Sequence, residues 1–338
     1  MAAVSGAWSA FVDWYYALPP IILVPVAGLL KVLAVFGFIV LNVLILIWLE
    51  RKLSGKIQSR LGPMRVGRPH GWAQTIADTI KLLVKEDIIP RGVDRWLWVL
   101  APAVVFTPAL MVWVVIPFSQ NWIVSDINVA LIYVAAVSSL AILGIFMSGW
   151  GSNNKWSLYG AMRAAAQLIS YEVPAVLSLV GVAMIAGSLS LQGIVAAQHR
   201  VWFIFLQPLG FIIFLISTMA ELNRTPFDLT EAESELVAGF NTEYSGLRWA
   251  FFFLGEYANL LAASAIAATV FLGGWSGPFL PGIVWFILKT YFFVILIMWI
   301  KWTMPRIRID QLMDVGWKFL IPLSLANIAL TGLVLLVV

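Results

Sequence analysis

Glu221–Glu243 reads ELNRTPFDLTEAESELVAGFNTE, and it lies between two apolar runs, 202–222 and 248–273. Each run has the roughly 20 residues that a membrane-spanning helix needs. Six of the chain's 17 acidic residues fall in this stretch: Glu221, Asp228, Glu231, Glu233, Glu235 and Glu243, against the single basic residue Arg224. A short acidic loop pinned between two membrane spans is costly to place. Its flanks decide the architecture, and its carboxylates decide where chemistry is to be sought.

Outward from this loop the chain has the same character. Of its 338 residues 62% are hydrophobic and 11% charged, with a mean hydropathy of +0.94. Soluble domains carry roughly 45–50% apolar and about 25% charged residues. The composition predicts an all-α polytopic membrane protein forming a single transmembrane domain over 1–338. Without a cysteine the chain can build no disulfide framework, thiolate zinc site or iron–sulfur cluster. His70 and His199 lie in different loops, which argues against a bis-histidine haem, and no metal cluster is expected. The N-terminus lacks the charged region of a cleaved signal peptide, so the first apolar run is read as a resident span. The net charge of +4 does not signal nucleic-acid binding, because the basic residues are distributed as a membrane protein distributes them.

Apolar runs at 21–49, 96–118, 127–149, 160–187, 202–222, 248–273, 280–302 and 317–338 predict about eight spans, which put both termini on one side. The first run, 29 residues long, suggests tilt or extension beyond the hydrocarbon. Every Lys and Arg except Lys31, Arg200 and Lys289 lies in loops 50–95, 150–159, 223–247 and 303–316 or their flanks. The positive-inside rule makes that side cytoplasmic and both termini external. The expected home is a bacterial inner membrane, preferred over the mitochondrial one.

Loop 50–95 opens with Glu50-Arg51-Lys52 and reaches a helical segment at 72–86. There Trp72, Ile76, Ile80, Leu83 and Val84 recur at helical spacing opposite Asp78, Lys81 and Lys85. An amphipathic interfacial helix fits, and periodicity alone favours a plain anchor on anionic lipid. Within the spans, Glu172 and Glu256 are too short to reach the interface, and an ionisable residue inside a span by default marks a pathway or site. Arg163 can snorkel. Lys31 and Lys289 can do so in part, and their role stays open.

Crowded carboxylates shielded from water cannot all ionise, because like charges and desolvation both raise their pKa. Such groups suit proton uptake, proton transfer or electrostatic gating. A helix over 228–236 would put Asp228, Glu231 and Glu235 on one face with Glu233 pointing away. Asp228 with Glu231, or Thr230 with Glu233, also reads as a capping box after Pro226. A cap accounts for one or two acids, not six. No nucleophile triad or phosphate loop is present, so catalysis by this chain alone is not expected, and any electron carriers would belong to partners docked on the basic loops.

Several segments together resemble one family. They are Glu50-Arg51-Lys52 with Gly62-Pro63 downstream, AMRAAAQLISYE at 161–172, ELNRTPFDLTEAESE at 221–235, FNTEY at 240–244, Gly255-Glu256-Tyr257 and RIRIDQLM at 306–313. The family is that of one membrane subunit (called H in bacteria and 1 in mitochondria) of respiratory complex I, the proton-translocating NADH:quinone oxidoreductase. The resemblance runs from about residue 45 to 320 and implies a subunit without redox centres at the junction of the soluble and membrane arms.

It implies a quinone channel lined or bordered by Arg51, Arg60, Asp78, Arg224 and Phe253. Glu221, Asp228, Glu231, Glu233 and Glu235 would form an acidic funnel, continued into the membrane by Tyr171, Glu172, Glu243 and Glu256. Quinone would be the substrate. NADH, FMN and iron–sulfur clusters would belong to the soluble-arm subunits, which carry the terminal cluster and the quinone headgroup site. Small membrane subunits and the lipid bilayer would be the other neighbours. Two alternatives share parts of the pattern: a membrane subunit of an energy-converting hydrogenase, and a freestanding ion transporter. The Gln58–Gly62 and Phe240–Tyr244 segments favour the quinone enzyme. The absence of visible inverted repeats and of paired broken helices argues against the transporter.

Overall fold

The long apolar runs become helices because only internally hydrogen-bonded backbone is stable in hydrocarbon. The computed structural model describes residues 20–230 and 233–337. Among them there is no strand, only an isolated bridge between Ser119 and Trp122. Seven helical stretches are long and apolar enough to cross a membrane, and Pro208–Glu221 is a shorter apolar helix. The chain is a multi-pass, all-helical membrane protein.

The first helix, α1 (Pro20–Ile57), has 38 residues. It carries Glu50-Arg51-Lys52 on its last turns, so these residues end a helix rather than open a loop as the sequence suggests. The chain divides within α1 into two compact units, residues up to Leu41 and residues from Asn42 onward. The second unit holds every element that follows. They are α2 (Gln74–Val84), α3 (Arg95–Met111), α4 (Ala130–Ser138), α5 (Leu140–Gly151), α6 (Lys155–Ala186), α7 (Leu191–Ala197), α8 (Phe203–Leu206) and α9 (Pro208–Glu221). After the acidic loop come α10 (Glu233–Leu236), α11 (Gly246–Phe271), α12 (Gly282–Thr303), α13 (Ile309–Asp314) and α14 (Ile321–Val337), the last two joined by a π-helical stretch, Val315–Leu320.

Two expected spans are interrupted. The run at 127–149 becomes α4 and α5, meeting at Ser139, and the run at 202–222 becomes α8 and α9, meeting at Gln207. Pro208 has no N–H to continue the ladder from α8 and instead starts α9. The polar side chain at that break is buried and satisfied inside the bundle. Gln207 donates to Thr331 at 2.6 Å and accepts from Asn327 at 2.9 Å, both on α14.

The basic loops gather at one end of the second unit. Arg248 pairs with Asp87 at 3.0 Å, Asn153 donates to the Gly92 carbonyl, and the Ile307 amide to the Pro226 carbonyl. At this end the core is aromatic: Trp98 stacks on Tyr244 at 4.9 Å, and the Arg248 guanidinium lies 4.4 Å from the Trp98 ring centre. Burial pushes the Tyr244 phenol above its ordinary range, keeping it a neutral donor to the Trp98 carbonyl. Gly160 lets α6 approach the acidic loop closely, since a Cβ there would sit 2.7 Å from the Gly239 Cα.

Candidate functional site

The acidic loop opens with a turn. α9 ends at Glu221, Asn223 takes a left-handed φ of 50°, and the Phe227 amide closes back on the Arg224 carbonyl at 2.8 Å. Gln167 on α6 staples this turn, donating to the carbonyls of Ala220 at 2.7 Å and Phe227 at 2.9 Å. Among the described residues of 228–236 only Glu233–Leu236 is helical, and Asp228 lies outside it, so Asp228 does not share a helical face with Glu235. Glu231 and the side chain of Glu233 lie outside the described residues, and with them the capping-box reading.

The turn drives Arg224 into the bundle, where it is 1% exposed. One guanidinium nitrogen meets Glu50 Oε2 at 2.9 Å and another meets Glu256 Oε1 at 3.0 Å. The second Glu50 oxygen accepts from Lys301 Nζ at 2.6 Å. The Tyr257 ring lies 4.8 Å from the guanidinium carbon. Four charges of alternating sign, from α1, the 220–227 turn, α11 and α12, thus close into one network. Burial alone would weaken Arg224's hold on its proton. Glu50, and after it Glu256, more than reverse this and lift it above the ordinary arginine range. An isolated buried charge would be prohibitive, and the pairing makes it tolerable.

Behind Glu256 opens a cavity of about 340 Å³. Its lining includes Glu172, Glu221, Glu256, Asn223, Asn241 and Asn259 among apolar side chains, Phe253 with them. Phe253 is stacked on Trp249 at 5.1 Å and packed against Tyr257 at 4.9 Å. Among the described residues no cation pairs with Glu172 or Glu221. The two carboxylates are close enough to feel each other's charge. Glu256 belongs to both places, paired with Arg224 and facing the cavity.

The remaining candidates lie around this centre. Arg51 and Asp78 form an ion pair between α1 and α2, and Gln74 donates to the other Asp78 oxygen at 3.0 Å. Arg60 is exposed and bonded to its neighbour Gln58. Asp228 pairs with Arg306, Glu235 with Arg163, and Glu243 accepts from Asn154 at 2.5 Å. The Tyr171 hydroxyl donates to the Leu312 carbonyl at 2.8 Å, and its ring packs on Phe227. No group of three or more His, Cys, Asp or Glu able to hold a metal occurs among the described residues.

Sequence alone assigns no role to Glu50, Lys301, Tyr257 or Gln167. Glu50 and Tyr257 stand within the motifs of the family resemblance, and a carboxylate beside an arginine at the end of a span is the available signal for the first. Lys301 reads from sequence only as a flank charge.

The NADH dehydrogenase family model matches residues 30–332. The chain is 54% identical over 309 residues to the NADH-quinone oxidoreductase H subunit of Dehalococcoides mccartyi (strain CBDB1), covering 91% of this chain and 87% of the relative. It is also 54% identical over 311 residues to the H subunit of Bacillus mycoides (strain KBAB4), covering 91% and 92%. The chain belongs to the H-subunit family of NADH-quinone oxidoreductase. The corresponding subunit of Carboxydothermus hydrogenoformans is 51% identical over 308 residues, covering 90% and 88%. The chain is therefore a membrane subunit of complex I, an oxidoreductase complex whose other subunits are its partners.

Proposed function

We propose that this chain forms the membrane part of the quinone chamber and couples quinone reduction to proton translocation through the cavity beside Arg224. The observation that carries the reading is the double placement of Glu256. It is a ligand of the buried arginine on one side and a wall of an acidic cavity on the other. A charge change near Arg224, such as that accompanying quinone reduction, loosens or tightens Glu256, and Glu172 and Glu221 offer the next places where a proton can be held.

Arg51 and Asp78 border the channel entrance beside the amphipathic α2. Its exposed apolar side chains Ile76, Ile80 and Leu83 suit the lipid interface from which a quinone arrives. Redox cofactors and the headgroup site reside in soluble-arm subunits docked on the basic end, and the isolated chain is not catalytic. By the positive-inside rule that end is cytoplasmic and both termini are external, in a bacterial plasma membrane.

Membranes carrying Glu256→Gln test the reading through two acceptors, a quinone and ferricyanide, which takes electrons upstream of the quinone. The quinone rate falls by an order of magnitude or more while the ferricyanide rate per assembled complex is kept. An unchanged quinone rate with unchanged proton pumping would remove the cavity from the mechanism.

A further inference from the structure

At the end of the bundle opposite the basic loops, the connection between α11 and α12 ends in an unusual tip. Phe279 is wholly exposed and held at φ 68°, with the Leu280 amide bonded back to the Pro278 carbonyl at 2.9 Å. A turn closed over one residue with positive φ is a rare and strained γ-turn, more so for a bulky side chain. Such a conformation persists only where its surroundings over-determine it. Here they do. The Trp285 indole N–H donates to the same Pro278 carbonyl at 2.8 Å, and its ring lies so close to Gly277 that a Cβ there would sit 2.6 Å from it.

The loop behind the tip is braced from within. Lys289, a buried lysine on α12, extends its ammonium to the carbonyls of Leu272 at 2.6 Å, Gly274 at 3.0 Å and Ser276 at 2.6 Å. The Trp202 and Trp285 rings lie 5.0 and 5.8 Å from it. The Gly274 and Ser276 amides bond to the carbonyls of Ala268 and Gly273. Pro278 and Pro281 have no amide hydrogen to satisfy. Three loop carbonyls thus find a donor inside the protein, which matters at the bilayer boundary because lipid offers none.

We propose that the loop 272–281 is a lipid anchor. Its tip, Phe279 and Leu280, inserts at the acyl-chain boundary of the leaflet opposite the basic loops, and Lys289 holds the loop in the inserted shape. Residues 272–281 contain no charge. The helix that leaves the loop continues with an outward apolar stripe, Leu288, Phe292, Ile295 and Trp299, each roughly half exposed. Aromatic side chains at the ends of spans sit preferentially at this depth. Lys289 is therefore neither a snorkelling lysine nor a transported-ion site; its charge is consumed in closing a loop.

The chain has no cysteine, so a single nitroxide label can be placed on it. Phe279→Cys is labelled in the intact complex reconstituted in phosphatidylcholine–phosphatidylglycerol vesicles, with the unsubstituted complex subtracted for partner cysteines. Collision rates with oxygen, which partitions into lipid, and with a neutral nickel chelate, which stays in water, are then compared. The expected result is oxygen contact several-fold above chelate contact. Chelate contact above oxygen contact would place the tip in water, and exclusion of both would place it under a neighbouring subunit; either overturns the proposal. Leu280→Cys provides a second label with the same expectation should the first complex assemble poorly. Adding Lys289→Met frees the label's motion in both, whereas an unchanged spectrum would remove Lys289 from the anchor.

Discussion

The network around Arg224 and the cavity next to it contain the same kind of side chain, glutamate in a membrane helix bundle, handled in opposite ways. Glu50 is buried and held between Arg224 and Lys301. Glu172 and Glu221 face open volume, and no cation among the described residues meets them. A closed network resists change, because removing any member leaves a buried charge short of its partner. An open acidic cavity can change protonation without dismantling a contact. The first arrangement holds structure and responds to an incoming charge, and the second has room to move protons. Glu256 joins them.

The most damaging single substitution is Arg224→Met. It leaves Glu50 and Glu256 facing each other in the interior with only Lys301 nearby. Breaking a buried ion pair by removing one partner costs about 3–5 kcal/mol. The assembled complex in membranes, quantified by native electrophoresis, falls steeply. Full assembly would show that the network is not closed.

Lys301→Met is a milder test. Lys301 is 23% exposed, so water substitutes for part of what is lost. A cost of about 1–2 kcal/mol is expected after discounting for that exposure. It shows as a lowered thermal midpoint of the complex with assembly kept. A loss as large as that of Arg224→Met would make Lys301 an equal member rather than an outer one.

The rim ion pairs sharpen the comparison from below. Arg163–Glu235 and Arg306–Asp228 are partly solvated, with side-chain exposures of 31% and 56%, and of 41% and 25%. Exposed pairs contribute roughly 0.2–1 kcal/mol. Arg163→Gln and Arg306→Gln therefore leave the thermal midpoint nearly unmoved in the isolated membrane complex. A large drop would mean that these pairs are buried by a partner subunit.

The helical fold was legible because apolar runs of spanning length have one stable backbone solution. Glu172 and Glu256 stood out because a short carboxylate inside such a run cannot reach water. Three features were hidden. The break at Gln207 depends on Asn327 and Thr331, more than a hundred residues away, which turn a polar residue in a span into a satisfied one. The end of α1 ran past the apolar stretch, because a helix can carry Glu50, Arg51 and Lys52 into the polar end of the bundle without losing its ladder. The 220–227 turn was hidden because Gln167, more than fifty residues away, holds it by donating to the carbonyls of Ala220 and Phe227, and local propensity does not show that contact. Residue identity revealed which groups were costly, and only the packing revealed which of them had been compensated.

The most direct test of the division between a closed network and an open cavity is proton translocation by the Glu172→Gln plus Glu221→Gln complex in proteoliposomes. It is measured as protons moved per NADH oxidised, alongside the ferricyanide rate and the amount of assembled complex. The account predicts normal assembly and a normal ferricyanide rate, because no cation loses a partner, together with a reduced proton yield. Loss of assembly would show that these two acids are structural like Glu50. An unchanged proton yield in an assembled, active complex would contradict the role given to the cavity.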